Sequence, residues 1–329
     1  PCGGSGHFLV AAFEMLARMR MEEEGLGAAE AGDAVIRDNV HMLEIDPRCT
    51  QIAAFNLALA AWKLGGYRPL PAAAIACSGV PVAGQLDAWL RLAGRDAALR
   101  RGLERLYELF RHAPDLGSLI DPAAALADAP LFGVAFEQLR PLLRRAVAAA
   151  APGDPDAPLF GAAVLEAARA AEMLAGKYTL VATNVPYLKR GNQAKVLQDF
   201  CEKWFPDAKA ELATVFIDRC RDLCQQAGTC ALVTPQNWTF LGLYKDFRLQ
   251  VLTKQTIHTL CWLGPGAFET ISGEVVKPIL FISSNATPEE DSRIIGCDLS
   301  DVAGAQQKDR ALRLGEFISG RQGDQLRNP

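Results

Sequence analysis

Apolar residues recur along the chain at two spacings, which predict alternating helices and strands. Residues 8–24 and 47–64 carry apolar side chains every three or four positions, the spacing of a helix with one buried face. Short apolar runs at 72–78, 178–183 and 229–234 have the length of buried strands. Strands that alternate with helices predict an α/β fold with a doubly wound, mostly parallel sheet.

Two later strand-like runs, 256–263 and 274–283, follow helical segments that we predict at 207–227 and 241–253. We interpret the two runs as an antiparallel hairpin that ends the otherwise parallel sheet. The residues beyond this hairpin are increasingly polar, and 298–329 is predicted to be a polar tail or the start of a next domain.

The chain changes character between residues 81 and 176, where Ala, Leu and Arg dominate and Pro recurs. The segments 97–112, 132–151 and 159–175 have helical spacing. We interpret 81–176 as a helical insertion between the third and fourth strands, with its apolar stripes packed against one another. The insertion separates one half of the predicted sheet domain, 1–80, from the other half, 177–297.

Composition narrows the class of protein. The 329 residues, of which 50% are hydrophobic, suffice for one large domain with an insertion or for two smaller units. A net charge of −4 argues against a DNA-coating protein but permits a local basic surface. The sequence contains no signal peptide and no long apolar run, so we predict neither secretion nor a membrane span.

The nine cysteines are scattered, and none forms a Cys-x-x-Cys pair. Cys220 and Cys224 share a helix face, but the chain has only four histidines and none lies near them in sequence. We therefore predict no metal site, and thiols that stay reduced as in cytoplasmic proteins.

The first residues form a glycine-rich turn, Pro1-Cys2-Gly3-Gly4-Ser5-Gly6, that runs directly into a helix. Glycine permits positive φ and a close approach of the backbone to a ligand. Free N–H groups at a helix start favour a polar or anionic group. The turn is not a phosphate-binding P-loop, because no Gly-Lys-Ser/Thr follows it.

Two acids follow the strand that begins at His41. Glu44 lies where an acid can hold both hydroxyls of a ribose, as in dinucleotide-binding folds. Asp46 directly precedes Pro47, and this order favours an N-cap for the following helix. We expect ribose binding from Glu44 and capping from Asp46.

The segment Asn184-Val185-Pro186-Tyr187 follows the strand predicted at 178–183. Proline lacks an N–H, so the carbonyls around it turn away from a β-ladder, and Asn adds an amide oxygen acceptor. Two acceptors beside the flat face of Tyr187 suit the exocyclic amine of a planar substrate. The alternative is a plain strand-to-loop turn, in which Asn, Pro and Tyr are all common.

The order of these motifs resembles that of the S-adenosylmethionine-dependent N6-adenine DNA methyltransferases. Two later stretches, 232–238 and 263–281, resemble the segment after the catalytic loop and the late hairpin of that family. Residues 75–79, Val185 in place of the usual first Pro, and 268–270 are most similar to the large methyltransferase of BREX phage-defence systems. The resemblance covers 1–10, 41–80 and 178–284.

The resemblance implies a Rossmann-like methyltransferase fold, in which a terminal hairpin is expected, and S-adenosylmethionine as the cofactor. It implies three groups of site residues. The cofactor contacts are Pro1, Gly4, Ser5, Gly6, Phe8, Glu44, Ile45, Cys77 and Ser78. The catalytic residues are Asn184, Val185, Pro186 and Tyr187. The substrate contacts are Trp238, Phe268, Lys189 and Arg190.

Several alternatives remain open at this stage. Phe268 would contact the face or edge of the target adenine, or it would pack in the core of the hairpin. Lys189, Arg190 and Lys195 would meet phosphates, or form a solvated basic loop. The valine at 185 keeps the backbone carbonyl but is less restricted than Pro.

The implied activity is methyl transfer to N6 of an adenine flipped out of double-stranded DNA, in the bacterial cytoplasm and without a metal. Other defence-system proteins are possible partners. Methylation of a protein glutamine amide or of RNA, and a catalytically silent binding module, are the rival interpretations. Because the family's first strand and its acid do not precede the glycine-rich turn, we expect an amino-terminally truncated fragment.

Overall fold

The computed structural model describes residues 1–82, 85–127, 157–268, 276–315 and 317–327. Contacts within the chain divide it into two compact units, Pro1–Gly176 and Lys177–Pro329. Each unit has its own sheet with helices packed on it, so the fold class is α/β as predicted.

The first unit begins with a helical layer on a two-stranded parallel sheet. The elements are α1 (His7–Glu24), α2 (Ala28–Asp38), β1 (His41–Glu44), α3 (Pro47–Gly65) and β2 (Ala74–Cys77). Helix α3 is the crossover that parallel strands require. The side chains of Phe13, Val35 and Leu57, one from each helix, are fully or almost fully buried and form the core with β1.

Local sequence explains where these helices start and stop. Helix α1 lies between Gly6 and Gly25, which both have positive φ. Helix α3 has Pro at its first turn, and the Asp46 carboxylate accepts a hydrogen bond from Arg48 N at 2.9 Å. The predicted capping role of Asp46 is therefore confirmed.

The rest of the first unit is helical wherever the structure describes it. Its elements are α4 (Leu86–Leu92), α5 (Ala97–Phe110), α6 (Ala113–Leu116), a 3₁₀ turn (Gly117–Leu119), α7 (Pro122–Ala127) and α8 (Ala157–Ala175). The helix predicted at 132–151 lies outside the described residues. Arg169 on α8 donates to the carbonyl of Ala73, which fixes this last helix against β2. The domain boundary predicted at 80/81 stays a prediction.

The second unit contains a six-stranded mixed sheet with the order β3-β4-β6-β5-β7-β8. Its strands are β3 (Tyr178–Asn184), β4 (Cys224–Pro235), β5 (Thr256–Trp262), β6 (Pro278–Ser284), β7 (Arg293–Asp298) and β8 (Ile318–Arg321). Its helices are α9 (Lys195–Trp204), α10 (Leu212–Leu223), α11 (Lys245–Lys254), α12 (Ala305–Leu314) and α13 (Gln322–Gln325). Short 3₁₀ turns occupy Arg190–Asn192, Gln236–Thr239 and Gly242–Tyr244.

Register brings several chain segments to one edge of this sheet. Strands β3 and β4 are parallel, with Asn184 opposite Val233. Strand β6 runs antiparallel to β4 and places Pro278 opposite Pro235. The carboxyl ends of β3 and β4 and the start of β6 therefore share an edge, which we name the Asn184 edge.

Strands β5 and β6 pair antiparallel, and the sheet continues beyond them through β7 and β8. Strand β8 pairs with β7, so the described residues of the segment 298–329 contribute two helices and a strand to the second unit rather than a polar tail. The hydrophobic pattern did not reveal β8 because all four of its residues are exposed.

The helix predicted at 207–227 is shorter in the structure, where α10 spans Leu212–Leu223. Before α10, the backbone of residues 210–212 hydrogen-bonds to residues 188–190 and therefore does not start the helix earlier. After α10, Cys224 pairs with Tyr178 of β3. Strand pairing at both ends therefore sets the length of the helix.

Candidate active site

The Glu44 carboxylate organises the glycine-rich turn of the first unit. Its Oε2 atom accepts from Gly4 N at 2.8 Å, and its Oε1 atom accepts from Ile45 N at 2.8 Å and Asp46 N at 3.0 Å. Gly3 N donates to the carbonyl of Leu43 at 3.1 Å. Glu44 is buried, so these bonds are strong and charge-assisted. The sequence predicted a ligand contact for Glu44 but not this role in holding the turn.

The glycines of the turn serve two different purposes. Gly6 has φ +88°, and a Cβ atom there would lie 2.8 Å from the Cβ of Ala53 on α3. Gly4 has φ +55°, but a Cβ atom there would meet nothing within 4 Å. Gly6 is therefore required for packing, whereas Gly4 presents an open backbone face. Asn56 Nδ2 donates to the carbonyl of Ser5 at 2.9 Å and ties the turn to α3.

The end of β2 forms a buried wall beside Glu44. Cys77 Sγ donates to the carbonyl of Ile45 at 3.3 Å, and Ser78 N donates to the carbonyl of Glu44 at 2.7 Å. The hydroxyl of Ser78 pairs with that of Ser118 at 3.2 Å. Burial raises the pKa of the Cys77 thiol. Cys77 and Ser78 therefore hold the backbone of Glu44 and Ile45 in place. Ser118 supports Ser78 through its hydroxyl, and the sequence did not predict this contact.

Two exposed apolar side chains lie close in sequence to the turn and to Glu44. Phe8 follows the turn in sequence and Ile45 follows Glu44, and these large apolar side chains remain 41% and 42% exposed. The Glu44 oxygens have about four acceptor sites in total, and its backbone partners use three. Exposed apolar surface and a carboxylate with one acceptor site left over are therefore both present. Pro1 is half-buried at the start of the same turn.

In the second unit, Asn184 is exposed at the last position of β3. Val185 is buried, and its N–H donates to the carbonyl of Val233 at 3.2 Å. The Tyr187 hydroxyl donates to Asn184 Oδ1 at 3.1 Å, while Pro186 and Tyr187 are half-buried. The amide oxygen keeps a second lone pair, so Tyr187 orients Asn184 without blocking it. Burial raises the pKa of Tyr187, which keeps the hydroxyl protonated as a donor.

Glu211 supports the Asn184–Tyr187 segment through contacts with the loop that follows it, and no sequence motif marked this residue. Its carboxylate is buried and accepts from the Tyr244 hydroxyl at 3.2 Å. Lys189 and Glu211 form an antiparallel backbone bridge, and Leu212 N donates to the carbonyl of Leu188 at 2.9 Å. Burial raises the pKa of Glu211. Glu211 thus links the loop after β3 to the loop after β4.

The basic residues of the loop differ in their freedom to meet an anion. Lys189 is exposed. Arg190 forms an ion pair with Glu202 at 2.7 Å, and Lys209 shares that carboxylate at 3.0 Å. Lys195 pairs with Asp199 at 2.6 Å. Lys189 is therefore freer to meet an anion, whereas Arg190 is partly neutralised by Glu202 within its own unit.

Trp238 lies in the core, which corrects its predicted role as a substrate contact. It is 4% exposed, and its Nε1 donates to Thr234 Oγ1 at 3.0 Å. Its ring makes edge contacts with Phe247 and Phe281 at centroid distances of 5.8 and 5.3 Å. An aromatic residue after a strand end is ambiguous in sequence, and here the apolar neighbours and a hydrogen-bond partner hold it inside.

Phe268 is half-buried in the turn that follows β5. The base of that turn is held by Lys308 of α12, whose buried ammonium donates to the carbonyls of Leu263 and Leu299, the latter at 2.7 Å. Gly264 has φ +66°, and a Cβ atom there would lie 2.5 Å from Ser300 Cα. Lys308 and Ser300 therefore position the turn that carries Phe268.

Across the described ranges, no group of three or more His, Cys, Asp or Glu side chains is arranged to hold a metal ion. In the same part of the chain, no helix combines the length and the apolar character needed to cross a bilayer.

In α/β proteins that bind a nucleoside cofactor, a glycine-rich turn and an acid lie together at the carboxyl end of a parallel strand. The turn at Gly4 and the acid Glu44 at the end of β1 have this arrangement. Within that class, the chain belongs to the Eco57I restriction-modification methylase family, whose model matches residues 38–267, well over half of the sequence.

Two curated relatives are similar over most of this chain. One is the adenine-specific methyltransferase BrxX of Escherichia coli O9:H4 (strain HS), with 28% identity over 87% of this chain and 25% of the relative. The other is the adenine-specific methyltransferase PglX of Lacticaseibacillus casei (strain Zhang), with 26% identity over 86% of this chain and 23% of the relative. The chain thus spans about a quarter of their length. The resemblance that the sequence indicated is confirmed.

Solved structures share the fold at low sequence identity. The ATP-dependent Type ISP restriction-modification enzyme LlaBIII, bound to DNA, has a TM-score of 0.56 and 15% identity, covering 97% of this chain and 19% of that chain. The DrdV–DNA complex also has a TM-score of 0.56 and 15% identity, covering 98% of this chain and 26% of that chain.

Proposed function

We propose that the protein containing this chain transfers a methyl group from S-adenosylmethionine to N6 of adenine in double-stranded DNA. The observation that carries the proposal is the exposed Asn184 amide at the end of β3, oriented by the Tyr187 hydroxyl. Membership of the Eco57I family and similarity to BrxX and PglX support the same activity.

Adenine N6 is a poor nucleophile because its lone pair is delocalised into the ring. Asn184 Oδ1 and the carbonyl of Val185 accept hydrogen bonds from the amine and favour a tetrahedral nitrogen with a localised lone pair. Tyr187 holds the Asn184 amide in the accepting orientation before the substrate arrives, an effect of pre-organisation. The amine is thereby both oriented and activated by groups that are already in place.

The target base leaves the duplex at a cost of roughly a few kcal/mol. Stacking on the ring of Tyr187 returns about 1–3 kcal/mol, the range for contacts between a base and an aromatic side chain. Phe268 is proposed to contact the face or edge of the same base. Lys189 is proposed to bind a neighbouring phosphate, and Arg190 to contribute less because of its ion pair with Glu202.

For the cofactor, the residues of the first unit are suitable. Gly4, Ser5 and Gly6 would face it with backbone, Phe8 and Ile45 with apolar surface, and Glu44 with its remaining acceptor capacity. Pro1, Cys77 and Ser78 are proposed to complete the site by shaping the turn and its rear wall. S-adenosylmethionine bound there would supply an electrophilic methyl group on a sulfonium, and the amine that accepts it would release one proton to solvent.

The finer fold that we propose is a doubly wound, mostly parallel Rossmann-like sheet that contains the antiparallel pair β5–β6. The parallel pair β1–β2 with its α3 crossover, and the parallel pair β3–β4, support this proposal. We also propose a bacterial cytoplasmic setting in phage defence or restriction-modification, with other defence proteins as partners, on the basis of the relatives.

The test is transfer of tritiated methyl groups by the full-length protein to DNA, RNA and protein in parallel. We expect incorporation into adenine-containing duplex DNA and its loss on Asn184→Ala, because this change removes one of the two acceptors. Incorporation only into RNA or a protein glutamine amide would support the rival substrates. Cofactor binding without transfer to any of them would support a silent binding module and overturn the proposal.

A further inference from the structure

Three large apolar side chains are exposed next to one another in the chain after β4. Phe240 is 55%, Leu241 42% and Leu243 75% exposed, and we name these three residues the apolar loop. Phe240 and Leu241 lie between the two short 3₁₀ turns Gln236–Thr239 and Gly242–Tyr244, and Leu243 lies within the second of them. Exposure of adjacent large apolar residues marks an interaction site more often than scattered single residues do.

The apolar loop rests on a rigid, buried base. Arg248 of α11 donates from Nη1 to the carbonyl of Trp238 at 2.9 Å and to the carbonyl of Leu241 at 2.6 Å. The side chains on either side of the loop, Trp238 and Tyr244, are both buried. The apolar side chains are therefore held outward by a fixed backbone.

The apolar loop follows the strand that pairs with the one ending at Asn184. Because β3 and β4 are parallel and Asn184 lies opposite Val233, the loop leaves the sheet at the Asn184 edge. Gln236 N donates to the carbonyl of Lys277 at 3.0 Å, which brings Lys277 to the same edge. Asn184, which is proposed to bind the target amine, and the apolar loop therefore lie at the same edge of the second unit.

Positive charge surrounds this edge. Lys189, Lys245 and Lys277 are exposed, and within the described ranges none of their ammonium groups forms an ion pair. Asp246 is an exposed acid next to Lys245 and offsets part of this charge. Exposed apolar side chains at an edge that also carries three exposed lysines match a duplex, which offers base faces inside and phosphates outside. A protein surface offers no comparable row of anions.

We propose that the apolar loop inserts into the DNA duplex beside the target adenine and supports the helix while that base is flipped out. Lys189, Lys245 and Lys277 would contact the flanking phosphates. Phe and Leu are side chains that DNA-bending proteins wedge between base steps. This inference rests on the proposed function, because it assigns a second element to the same reaction.

The test uses full-length protein and two synthetic duplexes that carry the sequence found by methylation profiling of host DNA. One duplex is fully paired, and the other has an abasic position opposite the target adenine, so that the base is already unpaired. We expect Phe240→Ala and Leu243→Ala to lower the single-turnover rate on the paired duplex by on the order of tenfold. On the opened duplex both variants should approach the parent rate.

The matched control is Leu314→Ala, since Leu314 has the same side chain and the same 75% exposure as Leu243. It precedes β8, at the other end of the strand order from β3. This variant should behave like the parent on both duplexes. Equal loss by Leu243→Ala on both duplexes, or no loss on either, would overturn the inference. A parent protein that methylates neither duplex would instead contradict the proposed function.

A second measurement tests whether the apolar loop is covered by DNA or by another part of the full-length protein. Leu243→Cys in the full-length protein is treated with a maleimide, with and without duplex, and modification at position 243 is read by peptide mass spectrometry. We expect fast modification in the free protein and protection by DNA. A thiol that stays unmodified without DNA is covered by another part of the protein, and the inference is then wrong.

Discussion

Glu44→Gln tests the link between the glycine-rich turn and cofactor binding, because the change replaces one carboxylate oxygen by an NH₂ group. If the remaining oxygen keeps the bonds from Ile45 N and Asp46 N, the new NH₂ faces Gly4 N–H, and two donors meet where a 2.8 Å hydrogen bond stood. A hydrogen bond to a charged group contributes about 1.5–3 kcal/mol. The affinity for S-adenosylmethionine should therefore fall by roughly 10-fold to 150-fold.

Titration calorimetry with the cofactor and urea unfolding, both on the full-length protein, measure the two consequences separately. Weaker binding with unchanged stability would assign Glu44 mainly to the ribose, whereas loss of both would assign it to holding the turn as well. Asp46→Asn is the matched control, because Asn caps helices about as well as Asp and should change binding by less than about 0.5 kcal/mol. Parent-like cofactor affinity in a folded Glu44→Gln protein would refute the reasoning.

Three other changes have measurable outcomes. Asn184→Ala should lower the single-turnover methylation rate more than it lowers DNA affinity. Tyr187→Phe should keep the stacking ring but lose the hydrogen bond to Asn184, which should lower the rate roughly 2-fold to 12-fold. Tyr187→Ala should lower the rate far more. If Tyr187→Ala matches Tyr187→Phe, the segment is a structural turn. Burial raises the pKa of Asp218 to about 6, above about 3.9 in the unfolded chain, so the folded state binds the proton more tightly and parent stability should fall as pH rises between these values. Asp218→Asn should remove that fall and gain up to about 3 kcal/mol over the parent at neutral pH in urea unfolding; a difference independent of pH would contradict the assignment. Lys308→Met should leave the carbonyls of Leu263 and Leu299 without their donor and cost about 1–3 kcal/mol of unfolding free energy, so a parent-like unfolding midpoint would show that the buried ammonium is dispensable.

The sequence by itself determined the elements whose signals are local. Glycines at 4 and 6 have the positive φ that the turn needs, Asp46 caps the helix that Pro47 begins, and Asn184 ends a strand. Each of these outcomes depends on a few adjacent residues, through backbone preference or a short hydrogen bond. The helical spacing of 8–24 and 47–64 likewise predicted α1 and α3 within a residue at each end, because amphipathic periodicity is a property of the segment itself.

Tertiary structure alone decided which residues meet across the sequence. Glu211 reaches Tyr244 across 33 positions, and Lys308 reaches Leu263 across 45, so no local pattern marks either residue as part of a site. Trp238 looked like a substrate contact, but the packing of Phe247 and Phe281 buries it and leaves Phe240 and Leu243 exposed. Strand β8 escaped detection because all four of its residues are exposed, so no apolar alternation marks it as a strand. Burial and strand pairing depend on partners far away in the chain, and these exist only once the chain has folded.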